Sequence, residues 1–221
     1  MSGNRFADTF RHKGLRKQLA ETVRKKGITD ENVISAIEAI PRHWFFDSSF
    51  LEFAYEDKAF PIGSGQTISQ PYTVAFQTQL LQVKRGDKIL EVGTGSGYQA
   101  SILYQMGAKV FSIERQRALY QKAKEMLPAA GFLVKTFFGD GYKGLPTFGP
   151  FDKIIVTAGA PFIPEALIEQ LKPGGIMVIP VDDDDGSQTM TTVEKAADGS
   201  YEISQHGKFR FVPLLGDKVH D

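Results

Sequence analysis

The chain has 221 residues, 42% hydrophobic and 24% charged, enough for one substantial core and too apolar for a disordered chain. Lysine plus arginine and aspartate plus glutamate number 26 each, so no global positive field recruits nucleic acid or an anionic membrane surface. The absence of cysteine excludes disulfide staples, zinc–thiolate sites and thiol catalysis.

The first twenty residues mix charge with isolated apolar positions and lack the apolar stretch of a signal peptide. No later run approaches the roughly 18 apolar residues of a membrane span, so a cytoplasmic, soluble protein is expected. Helix formers fill Lys13 to Lys26, and Asp30 is placed to cap a second helix through Glu38 before Pro41 stops it. Between Pro41 and Pro71 the pattern is irregular and aromatic, with Trp44, Phe45, Phe46, Phe50, Phe53, Tyr55 and Phe60 close together. Packing of this arm against the main sheet is the expectation, with a substrate-facing role for a few rings as the alternative.

From residue 72 the chain alternates. A helix over Tyr72 to Leu81 precedes a strand over Lys88 to Val92, a helix to about Met106 and a strand over Lys109 to Ile113. A helix over Gln116 to Ala130 follows, then strands over Val134 to Phe138 and Lys153 to Thr157, a helix near Pro164 to Gln170 and a strand over Ile176 to Pro180. Short strands alternating with helices predict an α/β fold, a mostly parallel sheet with helices on both faces. Thr191 to Lys195, Tyr201 to Ser204 and Lys208 to Val212 lack intervening helices and are expected to extend that sheet antiparallel. The acidic run Asp182 to Asp185 reads as a solvated turn, without the ligand spacing of a calcium loop. The expected organisation is an N-terminal helical arm, 1–71, and a core, 72–221, in one compact unit.

The strongest local signal is ILEVGTGSGYQA, which sets Gly93, Gly95 and Gly97 between a strand and a helix. Glycines let the backbone turn sharply and approach a ligand, and the helix start points free amides at it. A dinucleotide loop, G-x-G-x-x-G, would need its third glycine at position 98, where Tyr98 stands. With Glu91 ahead of it, the register fits the E-x-G-x-G-x-G loop of S-adenosylmethionine methyltransferases, and a Rossmann-like methyltransferase fold is expected. Glu114, beside Arg115 at the end of the next strand, is placed to accept ribose hydroxyls. Asp140, between Gly139 and Gly141, is placed to accept the adenine amine. All three elements end successive strands, where open α/β sheets bind ligands.

GQTISQPYTVA at residues 65–75, LEVGTGSGYQA, VFSIER, GDGYKGLP, PFDKIIVTAGAP, QLKPGGIMVIPV and FRFVPL together resemble the protein-L-isoaspartate (D-aspartate) O-methyltransferase family over nearly the whole chain. The resemblance implies methyl transfer from S-adenosylmethionine, leaving S-adenosylhomocysteine, to the α-carboxylate of L-isoaspartyl residues in damaged proteins and peptides. The ester then closes to a succinimide, whose hydrolysis restores some normal linkage. It further implies that Ser69, in TIS, is the active-site serine, holding the substrate carboxylate and not attacking it. Gln66, Thr67, Ile68 and Ser96 would edge the cofactor, and Gln188 would match a family glutamine after a turn. The acidic run departs from the family's short glycine-containing connection. The chemistry needs positioning and water exclusion more than a base, because a carboxylate is already nucleophilic.

His12, His43, His206 and His220 have no mutual spacing that suggests a metal, and no metal or catalytic histidine is expected. A monomer without nucleic-acid or membrane partners is the expected form. The competing readings are another methyltransferase, such as a tRNA adenine methyltransferase, and a non-catalytic binding protein on the same fold. Balanced charge and the TIS segment speak against the first, and intact Ser69, Glu114 and Asp140 against the second.

Overall fold

The computed structural model describes residues 6–219; His220 and the first five residues of the stretch weighed as a leader lie outside that range. The arm opens with α1 (Phe10–Lys25) and α2 (Glu31–Ala39), and the Asp30 carboxylate caps α2 by accepting from the Asn32 amide at 2.9 Å. Two 3-10 segments, Arg42–Phe45 and Ser48–Phe53, lead into a hairpin of β1 (Phe60–Gly63) and β2 (Gln66–Ile68). This hairpin was not anticipated from the sequence. Its strands are three or four residues long, and its turn lies in the left-handed region at Gly63, Ser64 and Gly65. The aromatic residues of the arm pack mainly on one another: Phe46, Phe50 and Phe53 all lie within 6.1 Å of the Phe60 ring, and Phe45 meets Tyr98 edge-on at 5.5 Å.

The core comprises α3 (Pro71–Leu81), β3 (Lys88–Val92), α4 (Tyr98–Gln105), β4 (Lys109–Glu114), α5 (Arg117–Ala129), β5 (Lys135–Phe138), β6 (Phe151–Val156), α6 (Glu165–Glu169), β7 (Leu171–Asp182), β8 (Gln188–Lys195) and β9 (Tyr201–Phe209). The seven strands run in the order β5-β4-β3-β6-β7-β8-β9. The first five are parallel, while β8 and β9 add antiparallel. The two strands expected over residues 201–204 and 208–212 form one, because pairing with β8 carries the ladder on through Gln205 as far as Phe209.

The pleat sorts the core. Ile89, Val110, Ile155, Ile176 and Val178 face a layer built from α1 to α5, whereas Leu90, Phe111, Ile154, Met177 and Ile179 face a second layer with Leu167 and Ile168 of α6. Side chains of the arm, including Val23, Ile37 and Ile68, belong to the same apolar cluster as Val74, Ile102 and Leu127 of the core. Parallel strands with opposite faces buried leave their carboxyl ends at one rim, and the loops there build the site.

Candidate active site

Five connections meet at that rim: the β2–α3 loop with Ser69, the glycine loop after β3, Glu114 at the end of β4, Gly141 after β5, and Thr157 after β6. Together with Val212 to Leu215 they line a cleft whose empty volume, mouth included, is about 740 Å³. A second groove of about 1120 Å³ opens beside it, lined by Tyr72, Phe209, Phe211, Lys208 and Arg210. Thr67, Ser69, Thr157 and Val212 line both.

The glycine loop is held by what surrounds it. Gly93 has φ +99°, and a Cβ there would stand 2.5 Å from Thr157 Oγ1, which itself donates to the Gly93 and Val92 carbonyls. Gly141 presses as closely, since a Cβ there would meet Val92 Cγ1 at 2.6 Å. Both contacts let backbone, and not side chain, form the wall.

Glu114 is 5% exposed, with Oε2 accepting from the Gly95 amide and Oε1 from the Gln116 amide, each at 2.8 Å. Burial pushes its carboxyl pKa up, and the amides of Gln116 and Gly95 pull it back. A carboxylate has about four acceptor positions, so each oxygen keeps one for a hydroxyl pair such as a ribose diol. Gln99 also lines the cleft; its Nε2 donates to Thr78 at 3.0 Å, while its buried Oε1 has no partner among the described residues. The acceptor positions that Glu114 keeps open fit the ribose of S-adenosylmethionine.

Of the residues expected at the site, Gln66, Thr67, Ile68, Ser69, Gly93, Gly95, Ser96, Glu114, Arg115 and Gly141 line the cleft. Four expected residues stand off its wall. Glu91 is fully buried behind the loop, accepts from the Ser112 hydroxyl, and is pushed up to about 8 by burial. It reaches the cleft only through Ser112 and Thr94, whose hydroxyls are 2.5 Å apart. Gly97 is the N-cap of α4, and a Cβ there would meet Leu127 Cδ2 at 3.0 Å. Asp140 turns its carboxylate back to cap the Tyr142 amide at 3.0 Å. Gln188 donates to Asp182 at 2.8 Å and accepts from the Phe211 amide at 2.7 Å, bracing the segment that lines both cavities. Arg115 is on the wall, but its guanidinium donates to the carbonyls of Gly216 and Asp217, fastening the segment that follows the cleft-lining Val212 to Leu215.

Thr94, Tyr98, Gln99 and Thr157 line the cleft without having been singled out in the sequence as site residues. Thr157 directly follows β6, beside the switch in strand order, which is the one signal that could have found it. Asp8, His12 and His43, far apart in sequence, bring potential metal-ligating atoms within 4.8 Å of one another. Each has hydrogen-bond partners within the protein, and His12 Nδ1 accepts from the Thr9 amide at 3.3 Å. Both Asp8 oxygens accept from Arg16, and His43 Nε2 faces the Ala7 carbonyl, which makes it the donor and leaves Nδ1 to accept from Tyr55.

Residues 14–219 match the model of the family described as Protein-L-isoaspartate(D-aspartate) O-methyltransferase (PCMT). The chain is 60% identical over 212 residues to the Protein-L-isoaspartate O-methyltransferase of Christiangramia forsetii, covering 96% of this chain and 99% of the relative. It is 58% identical, at the same coverage, to that of Flavobacterium johnsoniae. Among solved structures, a protein-L-isoaspartate O-methyltransferase superposes with a TM-score of 0.83 at 30% identity, over 91% of this chain and 66% of that longer one. A Plasmodium falciparum protein of the same description, in complex with S-adenosyl-L-homocysteine, superposes with a TM-score of 0.80 at 25% identity, over 90% of this chain and 98% of that one.

Proposed function

The chain belongs to the protein-L-isoaspartate O-methyltransferase family and transfers the methyl group of S-adenosylmethionine to isoaspartyl residues, and we propose that it does so across the wall shared by its two cavities, with Ser69 holding the substrate carboxylate. The observation that carries this assignment of residues is that Ser69, Thr67, Thr157 and Val212 line both the cleft and the neighbouring groove. The cleft beside the glycine loop suits the cofactor, with Glu114 accepting from the ribose, Gly93 to Ser96 following the amino-acid portion, and Gln66 to Ile68 closing the near edge. When bound, the cofactor supplies an electrophilic methyl group on a sulfonium.

The protein's own contribution is position. Among the described residues, neither an imidazole nor a carboxylate is hydrogen-bonded to the Ser69 hydroxyl, so Ser69 lacks the adjacent base of a serine nucleophile and is suited to donating a hydrogen bond. Holding a carboxylate in line with a methyl group converts an encounter into an intramolecular step, an effect of up to about 7 to 11 kcal/mol in well-oriented systems. Tyr72, Phe209 and Phe211 offer apolar faces to a peptide in the groove. Of the two cations there, Lys208 is paired with Asp185 at 2.7 Å, which leaves Arg210 as the more available one.

The arm, 1–71, and the core, 72–221, act in this reading as one unit, supported by their shared apolar cluster. We read the working form as a cytoplasmic monomer without nucleic-acid or membrane partners. The equal count of 26 cationic and 26 anionic side chains supports this, and among the described residues no helix is long and apolar enough to cross a membrane.

The test uses methyl-labelled S-adenosylmethionine and paired peptides that differ only in isoaspartyl or aspartyl linkage. Base-labile label confined to the isoaspartyl peptide is expected, and equal labelling of both would defeat the substrate reading. Ser69→Ala is expected to keep S-adenosylhomocysteine affinity within several fold while losing most turnover; loss of cofactor binding would make Ser69 structural instead.

A further inference from the structure

Arg42 is 0% exposed, yet among the described residues no carboxylate is hydrogen-bonded to it. Its Nη2 donates to two carbonyls, that of Ser69 at 2.9 Å and that of Lys58 at 3.3 Å. Its Nε and Nη1 have no acceptor among the described residues. The guanidinium carbon instead lies 4.6 Å from the ring centre of Tyr98 and 5.3 Å from that of Phe46, so aromatic faces take the place of further acceptors.

Burying a cation this way is costly, and a well-packed apolar side chain would serve packing alone at least as well. What the guanidinium does that an apolar group cannot is satisfy the Ser69 carbonyl. Local backbone does not supply that donor: Pro71 has no N–H, and the first helical bond of α3 runs from the Val74 amide to the Gln70 carbonyl at 3.0 Å. Asp57 fixes the other side of the same loop, accepting from the Tyr72 amide at 2.8 Å and from Gln70 Nε2 at 3.1 Å. The Tyr98 ring against which Arg42 stacks belongs to the first residue of α4, directly after the glycine loop, and it lines the cofactor cleft.

We propose that Arg42 is a positioning residue for methyl transfer, fixing the Ser69 peptide by its hydrogen bond to the Ser69 carbonyl while its stacking on Tyr98 sets that peptide relative to the glycine loop. Arg42 touches neither reactant. Its effect runs through Ser69, so this inference rests on the role given to Ser69 above. A guanidinium suits the task because its delocalised, weakly hydrated charge lies over two aromatic rings while one nitrogen donates to two carbonyls, whereas an ammonium is a compact, strongly hydrated charge.

The experiment is a double-mutant cycle on turnover of an isoaspartyl peptide, with active sites counted by S-adenosylhomocysteine titration so that unfolded protein does not enter kcat. Arg42→Lys is expected to lower kcat about five- to twentyfold, with the dissociation constant for S-adenosylhomocysteine within threefold of wild type. In a Ser69→Ala background the same substitution is expected to lower the residual kcat less than twofold. An equal penalty in both backgrounds, or wild-type kcat in Arg42→Lys, overturns the proposal. Ser69→Ala with unimpaired turnover overturns the reading of Ser69 itself, a result distinct from a slow Ser69→Ala with an undiminished Arg42→Lys penalty. Should Arg42→Lys fail to fold, Phe46→Leu removes one stacked face and leaves the guanidinium. A threefold or greater loss of kcat is then expected, absent in the Ser69→Ala background, and an unchanged kcat counts against the proposal.

Discussion

Replacing Gly93 by alanine probes the wall of the cofactor cleft where it is tightest. Two costs add. The backbone at φ +99° lies in the left-handed half of conformational space, which costs a residue with a Cβ roughly 1 to 2 kcal/mol. The new Cβ, 2.5 Å from Thr157 Oγ1, must also displace a hydroxyl that donates to the Gly93 and Val92 carbonyls at 2.7 and 3.0 Å, forfeiting about 0.5 to 1.5 kcal/mol. The sum, about 1.5 to 3.5 kcal/mol, divides between lower stability and weaker cofactor binding. If it falls wholly on binding, affinity drops roughly ten- to several-hundredfold, at about 1.4 kcal/mol per decade. Isothermal titration with S-adenosylhomocysteine and thermal unfolding of the free protein measure the two shares. The next atom in line is Thr157 Cβ at 3.8 Å, an ordinary contact, so Thr157→Ala removes the collision but not the backbone strain. The double variant Gly93→Ala/Thr157→Ala is therefore expected to cost about 1 kcal/mol less than the two single variants added together. Strict additivity, or a Gly93→Ala protein with unchanged stability and affinity, would refute the reasoning.

Glu114→Gln replaces an acceptor of the Gly95 or Gln116 amide by a donor, and calorimetry should find S-adenosylhomocysteine bound about ten- to a hundredfold more weakly, since hydrogen bonds to charged groups are worth about 1.5 to 3 kcal/mol. Glu91, held up to about 8 from 4.5 by burial, takes up a proton on folding, so its contribution to stability is lost as pH rises toward 8. Denaturant titrations should therefore show Glu91→Gln gaining on wild type from pH 4.5 upward and levelling off near pH 8; a constant difference would contradict the buried, protonated acid. Arg115→Ala frees the carbonyls of Gly216 and Asp217, and stopped-flow release of S-adenosylhomocysteine should quicken several fold, whereas an unchanged release rate would mean that the guanidinium does not hold that segment in place.

The parallel half of the fold was open to inspection in the sequence because each strand there is apolar on both faces and bounded by turn residues. Residues Lys88–Val92 form β3 as expected, and Asp30 caps α2 as expected. What escaped was set by contacts distant in sequence. The β1–β2 hairpin has strands too short for periodicity to register, and its aromatic neighbours mask the alternation of Ile62 and Ile68 about a glycine turn. The merging of two expected strands into β9 depends on the partner that β8 supplies. At the site, the glycine loop, Ser69 and Glu114 announce themselves by residue type and place. Thr157 and Gln99 do not, since a threonine or glutamine acquires meaning only from the cleft it borders. Glu91 and Gln188 stand off the cleft wall, because a polar residue beside such a loop can brace it from behind.

The segment proposed to hold the substrate carboxylate lies among the arm's buried side chains. Ile68, 2% exposed, adjoins Ser69 directly and belongs to the same apolar cluster as Val23, Ile37 and Ile102. Catalytic competence and conformational robustness therefore draw on a single set of residues. A drift in sequence along α1 or α2 that loosens the fold also blurs the placement of the reacting groups, so the two properties are inherited together, and neither can be tuned in this architecture while the other is left alone.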